Sequence, residues 1–113
     1  QYHLPIKMVI MNNMAYGMVK QFQQSYFGER YQSTVWGYSA PDFARVARAY
    51  GVPSSTIRGT SEVKRGLAEM GKDPVSAFLL QVLIDTNANA YPKIAFGEPL
   101  TRMEPIMQPD ELK

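Results

Sequence analysis

The stretch IKMVIMNNMAYGMVKQFQQ, residues 6–24, decides how this chain is read. An apolar, partly β-branched run over residues 5–11 stops at Asn12 and Asn13, and Gly17 then opens a helical pattern. A short run with almost no alternation is the signature of a parallel strand buried on both faces. The two asparagines therefore stand at the carboxyl end of a buried strand. In open parallel sheets ligands bind at that end, and the helix N-termini there favour anions. Two roles are open to these residues. Short amides tolerate the turn that a strand-to-helix junction requires. An asparagine carbonyl oxygen is also a hard, neutral ligand suited to Mg2+ beside a carboxylate and phosphate oxygens.

Outward from this stretch, the pattern predicts a helix over about residues 17–27. Met18, Gln21, Phe22 and Ser25 lie on one side of it, overlapped by Val19, Gln23 and Tyr26. FGERYQSTVWGYSA then reads as a loop, with Gly28 and Gly37 as breaks and Trp36 as its apolar anchor. SAPDFARVARAYG predicts the clearest helix. Ser39 or Ala40 is its cap, Pro41 lies in its first turn, and Asp42 stands on the positive end of the dipole. Its inward stripe is Phe43, Val46, Ala47 and Tyr50, and Gly51 is its stop. SSTIRG predicts a short strand, and TSEVKRGLAEMG a further helix capped by Thr60 or Ser61, with Val63, Leu67 and Met70 inward and Gly71 as stop. Gly66 inside that helix costs about 1 kcal/mol relative to alanine. PVSAFLLQVLID is a strand apolar on both faces that ends at Asp85. The rest is rich in proline and predicts a surface wrap with a short helical turn near residues 101–103.

The order strand, helix, helix, strand, helix, strand predicts an α/β fold of three αβα layers around a parallel sheet with right-handed crossovers. Three strands make a thin sheet with exposed edges. The chain therefore reads as the second part of a larger unit, with residues 1–107 as the domain part and 108–113 as a tail.

With 113 residues the chain is one domain's worth, and 45% hydrophobic against 19% charged residues argues against disorder. The formal charge of +2 is spread over single residues such as Lys7, Lys20, Arg30, Arg45, Arg48 and Lys64. No basic stripe with interleaved aromatics marks a nucleic-acid partner. No apolar run is long enough for a membrane span, and no signal-peptide pattern is present. The sequence contains no cysteine, which removes disulfides, thiolate metal sites and thiol nucleophiles, and fits a cytoplasmic setting. His3, the one histidine, reads as an ordinary residue before a strand rather than as part of a triad or metal cluster.

The wording of LPIKMVIMNNMAYGMVKQFQ resembles the second half of the thiamine-diphosphate motif, the half that ends in paired asparagines. More narrowly, it resembles the large catalytic subunit of acetolactate synthase (acetohydroxyacid synthase). The likeness continues through PDFARVARAYG, FLLQVLID and the Tyr91, Pro92 and Gly97 pattern, and so runs nearly the whole length in order.

That resemblance implies the C-terminal part of a thiamine-diphosphate-binding fold that holds the cofactor's diphosphate through Mg2+. It implies Asn13 and the backbone carbonyl of Ala15 as metal ligands, with Tyr16, Gly17 and Met18 lining the diphosphate and thiazolium side. It implies an upstream Gly-Asp-Gly for the remaining ligand, and a cofactor-activating glutamate on another domain, usually of a neighbouring subunit. Neither is in this chain, so it carries no catalytic acid–base residue of its own. A flavin domain, and with it FAD, belongs to the whole enzyme and not to this chain.

Phe22 falls where related enzymes carry either a proton-transferring glutamate or an acceptor-selecting tryptophan. A phenylalanine moves no protons, so the resemblance implies a substrate contact and carboligation rather than simple decarboxylation. Ala90–Lys93 departs from the usual valine and methionine around Tyr-Pro. The implied enzyme is a homo-oligomeric transferase of branched-chain amino acid biosynthesis. It joins pyruvate's two-carbon unit to a second 2-keto acid, and its partners are the rest of the parent enzyme and a second subunit. Glyoxylate carboligase and sulfoacetaldehyde acetyltransferase share the fold and stay open, as does a non-catalytic binding domain in which Asn12 and Asn13 only turn the chain.

Overall fold

In a computed structural model, which describes residues 4–105, the first strand is β1, Lys7–Asn12. It is followed by α1 (Gly17–Tyr26), α2 (Phe43–Ala49), β2 (Ser54–Ile57), α3 (Val63–Gly71) and β3 (Phe78–Leu83). This is the order expected from the sequence. The three strands form a parallel sheet in the order β1-β3-β2, with Val9 opposite Leu80 and Ser55 opposite Leu80 on the other side. The connection β1 to β2 runs one way across the sheet and β2 to β3 runs back. Right-handed crossovers therefore place the intervening helices on opposite faces.

Side-chain contacts agree with that placement. On one face of β3, the Gln81 side-chain oxygen accepts the N–H groups of Phe43 (2.6 Å) and Ala44 (3.3 Å) at the start of α2. Asp42 accepts the next N–H, from Arg45, at 3.0 Å. Three of the four N–H groups that a helix start leaves without partners are thus satisfied, two of them by a buried strand residue. On the opposite face Leu80 and Ile57 pack against α3 at Gly66. A Cβ there would lie 2.7 Å from Ile57 Cγ2 and 3.2 Å from Leu80 Cδ1. The glycine within α3 is therefore a close-approach residue.

Several expectations are corrected. β1 is not buried on both faces: it is an edge strand, and Val9 and Met11 are 49% and 60% exposed. In-register pairing puts both on the Leu80 face, and α3 covers β2 and β3 there without reaching them. α2 is capped by Asp42, with Pro41 outside it, and turns Ala44 and Ala47 inward while Val46 and Tyr50 are exposed. Small residues face the sheet because helix and strand approach closely.

α3 is preceded by a single 3-10 turn at Thr60–Glu62 rather than by a side-chain cap, and Val63 and Leu67 are exposed. Trp36 is exposed and does not anchor its loop; Thr34 is the buried residue there, its hydroxyl donating to Gln23 Oε1 at 2.6 Å. In place of a helical turn near 101–103, Lys93–Ile94 (β4) and Met103–Glu104 (β5) pair as an antiparallel ribbon. His3 and the boundary at 107 lie outside the described residues.

Candidate cofactor and acceptor site

β1 delivers Asn12 and Asn13 to the start of α1. Both side-chain oxygens accept the backbone N–H two residues on: Asn12 from Met14 at 3.0 Å and Asn13 from Ala15 at 3.2 Å. Both asparagines are therefore turn-formers in the sense expected of short amides. Their surroundings separate them. Asn12 is buried, and its carbonyl is tied to Ile84 N–H. Asn13 opens onto a cavity of about 250 Å3 at the carboxyl end of the sheet, lined also by Gly17, Met18, Gln21, Ile84 and Asn89.

Gly17 belongs to the same cradle. A Cβ at this position would meet Asn13 Nδ2 at 2.6 Å, so any other residue displaces the amide. Ala15 is buried, and its carbonyl receives no backbone hydrogen bond among the described residues. Tyr16 is tied by its N–H to Thr34 O at 3.1 Å and stacks edge-on against Tyr38 at 4.5 Å. Met18 is 81% exposed at the rim.

The donor set fits half of a Mg2+–diphosphate site. A carbonyl oxygen carries two lone pairs, so Asn13 Oδ1 has one left after Ala15 N–H. Asn89, which lines the same cavity, has a buried side-chain oxygen with no hydrogen-bond partner among the described residues. No group of three His, Cys, Asp or Glu able to hold a metal occurs among the described residues. Only neutral oxygens are offered, which suits a site whose negative charge comes from a diphosphate and a carboxylate supplied elsewhere.

Phe22 lies one turn further along α1, half-buried against Tyr26 (4.8 Å between ring centroids), Phe27 (5.7 Å) and Phe96 (5.3 Å). With Met18, Gln21, Tyr26, Lys93, Ile94 and Phe96 it lines a second cavity of about 160 Å3. Met18 and Gln21 border both cavities, so the two are neighbours across a shared wall. Of the expected site residues, Asn13, Gly17 and Met18 border the first cavity and Met18 and Phe22 the second, while Ala15 and Tyr16 line neither.

Sequence reasoning missed the residues that the segment after β3 contributes. That segment tracks along α1 through polar pairs. Lys20 Nζ donates to Asn87 Oδ1 at 3.2 Å, and Asn89 Nδ2 to Gln24 Oε1 at 3.1 Å. Lys93 Nζ donates to Ser25 Oγ at 2.8 Å, and Phe96 N–H to Tyr26 Oη at 2.9 Å. Gln21 binds both backbone groups of Ala90, donating to its carbonyl (3.0 Å) and accepting its N–H (3.1 Å), as a neighbouring strand would. Of the side of α1 expected from periodicity, Gln21 is buried and Phe22 half-buried while Met18 and Ser25 are exposed, and Lys20, which lies off that side, is the other buried residue. The one available signal was their spacing directly after the asparagine pair.

Residues 1–80 match the family model described as the C-terminal TPP binding domain of thiamine pyrophosphate enzymes. The acetolactate synthase large subunit of Porphyra purpurea is 38% identical over 109 residues, which is 96% of this chain and 18% of that protein. A probable acetolactate synthase large subunit of Methanocaldococcus jannaschii is 35% identical across 100% of this chain and 19% of its own length. The isozyme 2 large subunit of Escherichia coli (strain K12) is 35% identical over 88% of the chain and 18% of that protein. The chain therefore spans about a fifth of the length of these relatives. The match over residues 1–80, the parallel sheet and the asparagine-ended first strand agree: this chain belongs to the C-terminal thiamine pyrophosphate-binding domain family of the thiamine pyrophosphate enzymes.

Proposed function

We propose that this chain is the cofactor- and acceptor-binding portion of an acetolactate synthase-like carboligase dependent on thiamine diphosphate and Mg2+. The observation that carries the reading is the shared wall. Met18 and Gln21 separate a cavity edged by the amides of Asn13 and Asn89 from one edged by the rings of Phe22, Tyr26 and Phe96. A diphosphate-anchored cofactor and a small organic acceptor need two such adjoining compartments.

In this reading Asn13 Oδ1 and the Ala15 carbonyl are the chain's two Mg2+ ligands, and Gly17 leaves room for the Asn13 amide. Tyr16 and Met18 bound the cofactor side. Phe22 excludes water from the acceptor side and moves no proton. The cofactor, when bound, supplies carbanion-stabilising chemistry that no side chain has. The acceptor is a second 2-keto acid. The missing carboxylate ligand, the cofactor-activating glutamate and any FAD site belong to the rest of a longer, cytoplasmic, oligomeric enzyme. The open edge of β1, with Val9 and Met11 uncovered, is where the rest of that enzyme packs.

The test is product analysis of the full-length enzyme with pyruvate alone and with pyruvate plus 2-ketobutyrate. Acetolactate and acetohydroxybutyrate, both lost on chelating Mg2+, are expected. A product formed only from glyoxylate or sulfoacetaldehyde would move the enzyme to those activities. In the same enzyme Asn13→Ala should weaken cofactor binding far more than Asn12→Ala, which acts through the turn. Equal effects would mean that the two asparagines do the same work.

A further inference from the structure

Lys20 is a buried charged residue that the site as described does not use. It is 3% exposed and lines neither of the two cavities beside α1. Its ammonium donates to Asn87 Oδ1 at 3.2 Å and lies 5.0 Å from the centroid of the Tyr31 ring. Among the described residues it forms no ion pair. Burying an ammonium is costly unless other groups take up its charge and its protons. Here a neutral amide oxygen and the face of a ring do so together, and cation–π attraction strengthens as water is removed. Each partner therefore counts most while the other stays in place. Losing either leaves the charge under-compensated and draws the side chain towards water.

The two partners belong to different segments. Tyr31 begins residues 31–34, which are tied to the start of α1 by the Tyr16 N–H, donating to Thr34 O at 3.1 Å. Gln23 ties them again, accepting from the Thr34 hydroxyl at 2.6 Å and donating to Gln32 O at 3.1 Å. Residues 16, 20 and 23 fall on one stripe of a helix. Asn87 begins residues 87–90, of which Ala88, Asn89 and Ala90 line the cavity that Asn13 and Gly17 also line. Among the described residues, Lys20 is the one side chain of α1 with polar contacts to both segments.

We propose that Lys20 is a positioning residue that couples the 31–34 and 87–90 segments, so that filling the Asn13 cavity also orders the loop around Tyr31. For the identity of the ligand, the inference rests on the cofactor reading of that cavity. A ligand seated against Ala88, Asn89 and Ala90 holds Asn87 in place. Asn87 holds the ammonium, and the ammonium holds the Tyr31 ring. The loop in turn carries the Thr34 carbonyl that fixes the Tyr16 N–H where α1 begins. Ligand binding and loop ordering thereby share one entropic cost. Lys20 touches no reacting group and transfers no proton in this role.

The experiment is amide hydrogen exchange read by mass spectrometry on the full-length enzyme, with and without thiamine diphosphate and Mg2+. Without cofactor, Lys20→Met keeps the apolar bulk and removes the charge. It should speed exchange at both 31–34 and 87–90 by roughly tenfold, the scale of one lost hydrogen bond to a charged group, and leave β3 unchanged. Lys20→Arg, which keeps the charge, should retain protection at both segments. Tyr31→Leu should speed exchange at 87–90 in the wild-type background and add nothing there in Lys20→Met, the mark of coupling through the ammonium. With cofactor, both segments should gain protection in the wild type, but only 87–90 in Lys20→Met. Loosening of one segment alone in Lys20→Met would overturn the coupling, as would an equal loss in β3 or a Tyr31→Leu effect at 87–90 that persists in Lys20→Met. Protection of 87–90 without 31–34 when cofactor binds the wild type would overturn it too. If the coupling holds without cofactor while thiamine diphosphate and Mg2+ protect neither segment, the cofactor reading of the cavity fails and the coupling survives.

Discussion

Around β3 the side chains removed from water are Leu79, Leu80, Ile57, Ala44 and Ala47, with Gln81 the one polar group among them; along α1 they are Lys20 and Gln21. The first region is held mainly by apolar burial on both faces of a central strand. The second is held by side-chain hydrogen bonds between α1 and the segment that follows β3. Burial of hydrocarbon is non-directional and contributes about 25 cal/mol per Å2, whereas each polar pair nets only about 0.5–1.5 kcal/mol. The α1 side is therefore the part expected to open first, with few apolar contacts and many solvent-accessible bonds. Both cavities border α1. The candidate site is built on that side, and a bound cofactor would add contacts there.

The largest test of this contrast is Leu80→Ala. Leu80 is 2% exposed and lies under Gly66, so its loss should cost about 2–5 kcal/mol in urea denaturation. Val9→Ala on the open side of the sheet should cost under about 0.5 kcal/mol in this chain alone. A Leu80→Ala penalty no larger than that of Val9→Ala would break the contrast.

Next comes Gly66→Ala. Helix propensity alone favours it by about 1 kcal/mol, but the new Cβ meets Ile57 Cγ2 at 2.7 Å. Overpacking costs about 1–3 kcal/mol, so the net result should be a lowered melting temperature. A raised one would show that α3 can lift away from the sheet.

Gln21→Leu acts on the other region. It strips both backbone groups of Ala90 of their partner, at about 1 kcal/mol for each bond. The loss should show as faster amide exchange along residues 88–96, with protection in β3 unchanged. Loss of β3 protection to the same extent would mean that the two regions unfold as one.

The smallest effect is electrostatic. The Arg58 N–H and the Arg65 guanidinium hold Glu62 below the usual carboxylate range, and Arg65 does the same for Glu69. Their folded pKa values lie below their unfolded ones. They therefore contribute stability that is present above the ordinary carboxylate range of roughly 4 and is lost as the pH falls through the lowered folded values. Both groups are solvent-accessible, so the loss should be small and should shrink further in high salt. Denaturation curves of Arg65→Gln and the wild type should converge at acid pH.

Local chemistry was readable from the residues themselves. Apolar runs marked β1 and β3, Gly51 marked the end of α2, and the asparagine pair announced a turn and a neutral oxygen at the end of a strand. Each of these depends on neighbours within a few positions, through caps, turn propensities and strand or helix period. The family likeness rested on the same local wording and extended it to Asn13, Ala15, Gly17 and Phe22.

What only the tertiary structure decided depends on residues far apart in the chain. KMVIMN and FLLQVL look alike as strands, yet β3 is central and β1 is an edge, because the β2 connection returns across the sheet. Gly66 looked like a weak point in a helix until Ile57 and Leu80 were seen beneath it. α1 turns Lys20 and Gln21 inward because Asn87 and Ala90, over 60 residues later, offer them hydrogen bonds that hydrophobic periodicity cannot encode. Lys93 reaches the cavity by the same route. The sequence by itself determined the strands of the parallel sheet, its helices and the turn that carries Asn13, since these follow from short-range sterics and hydrogen bonding. The tertiary structure decided which faces are covered and which side chains meet at the site, since burial and long-range pairing belong to the assembled chain and not to any segment of it.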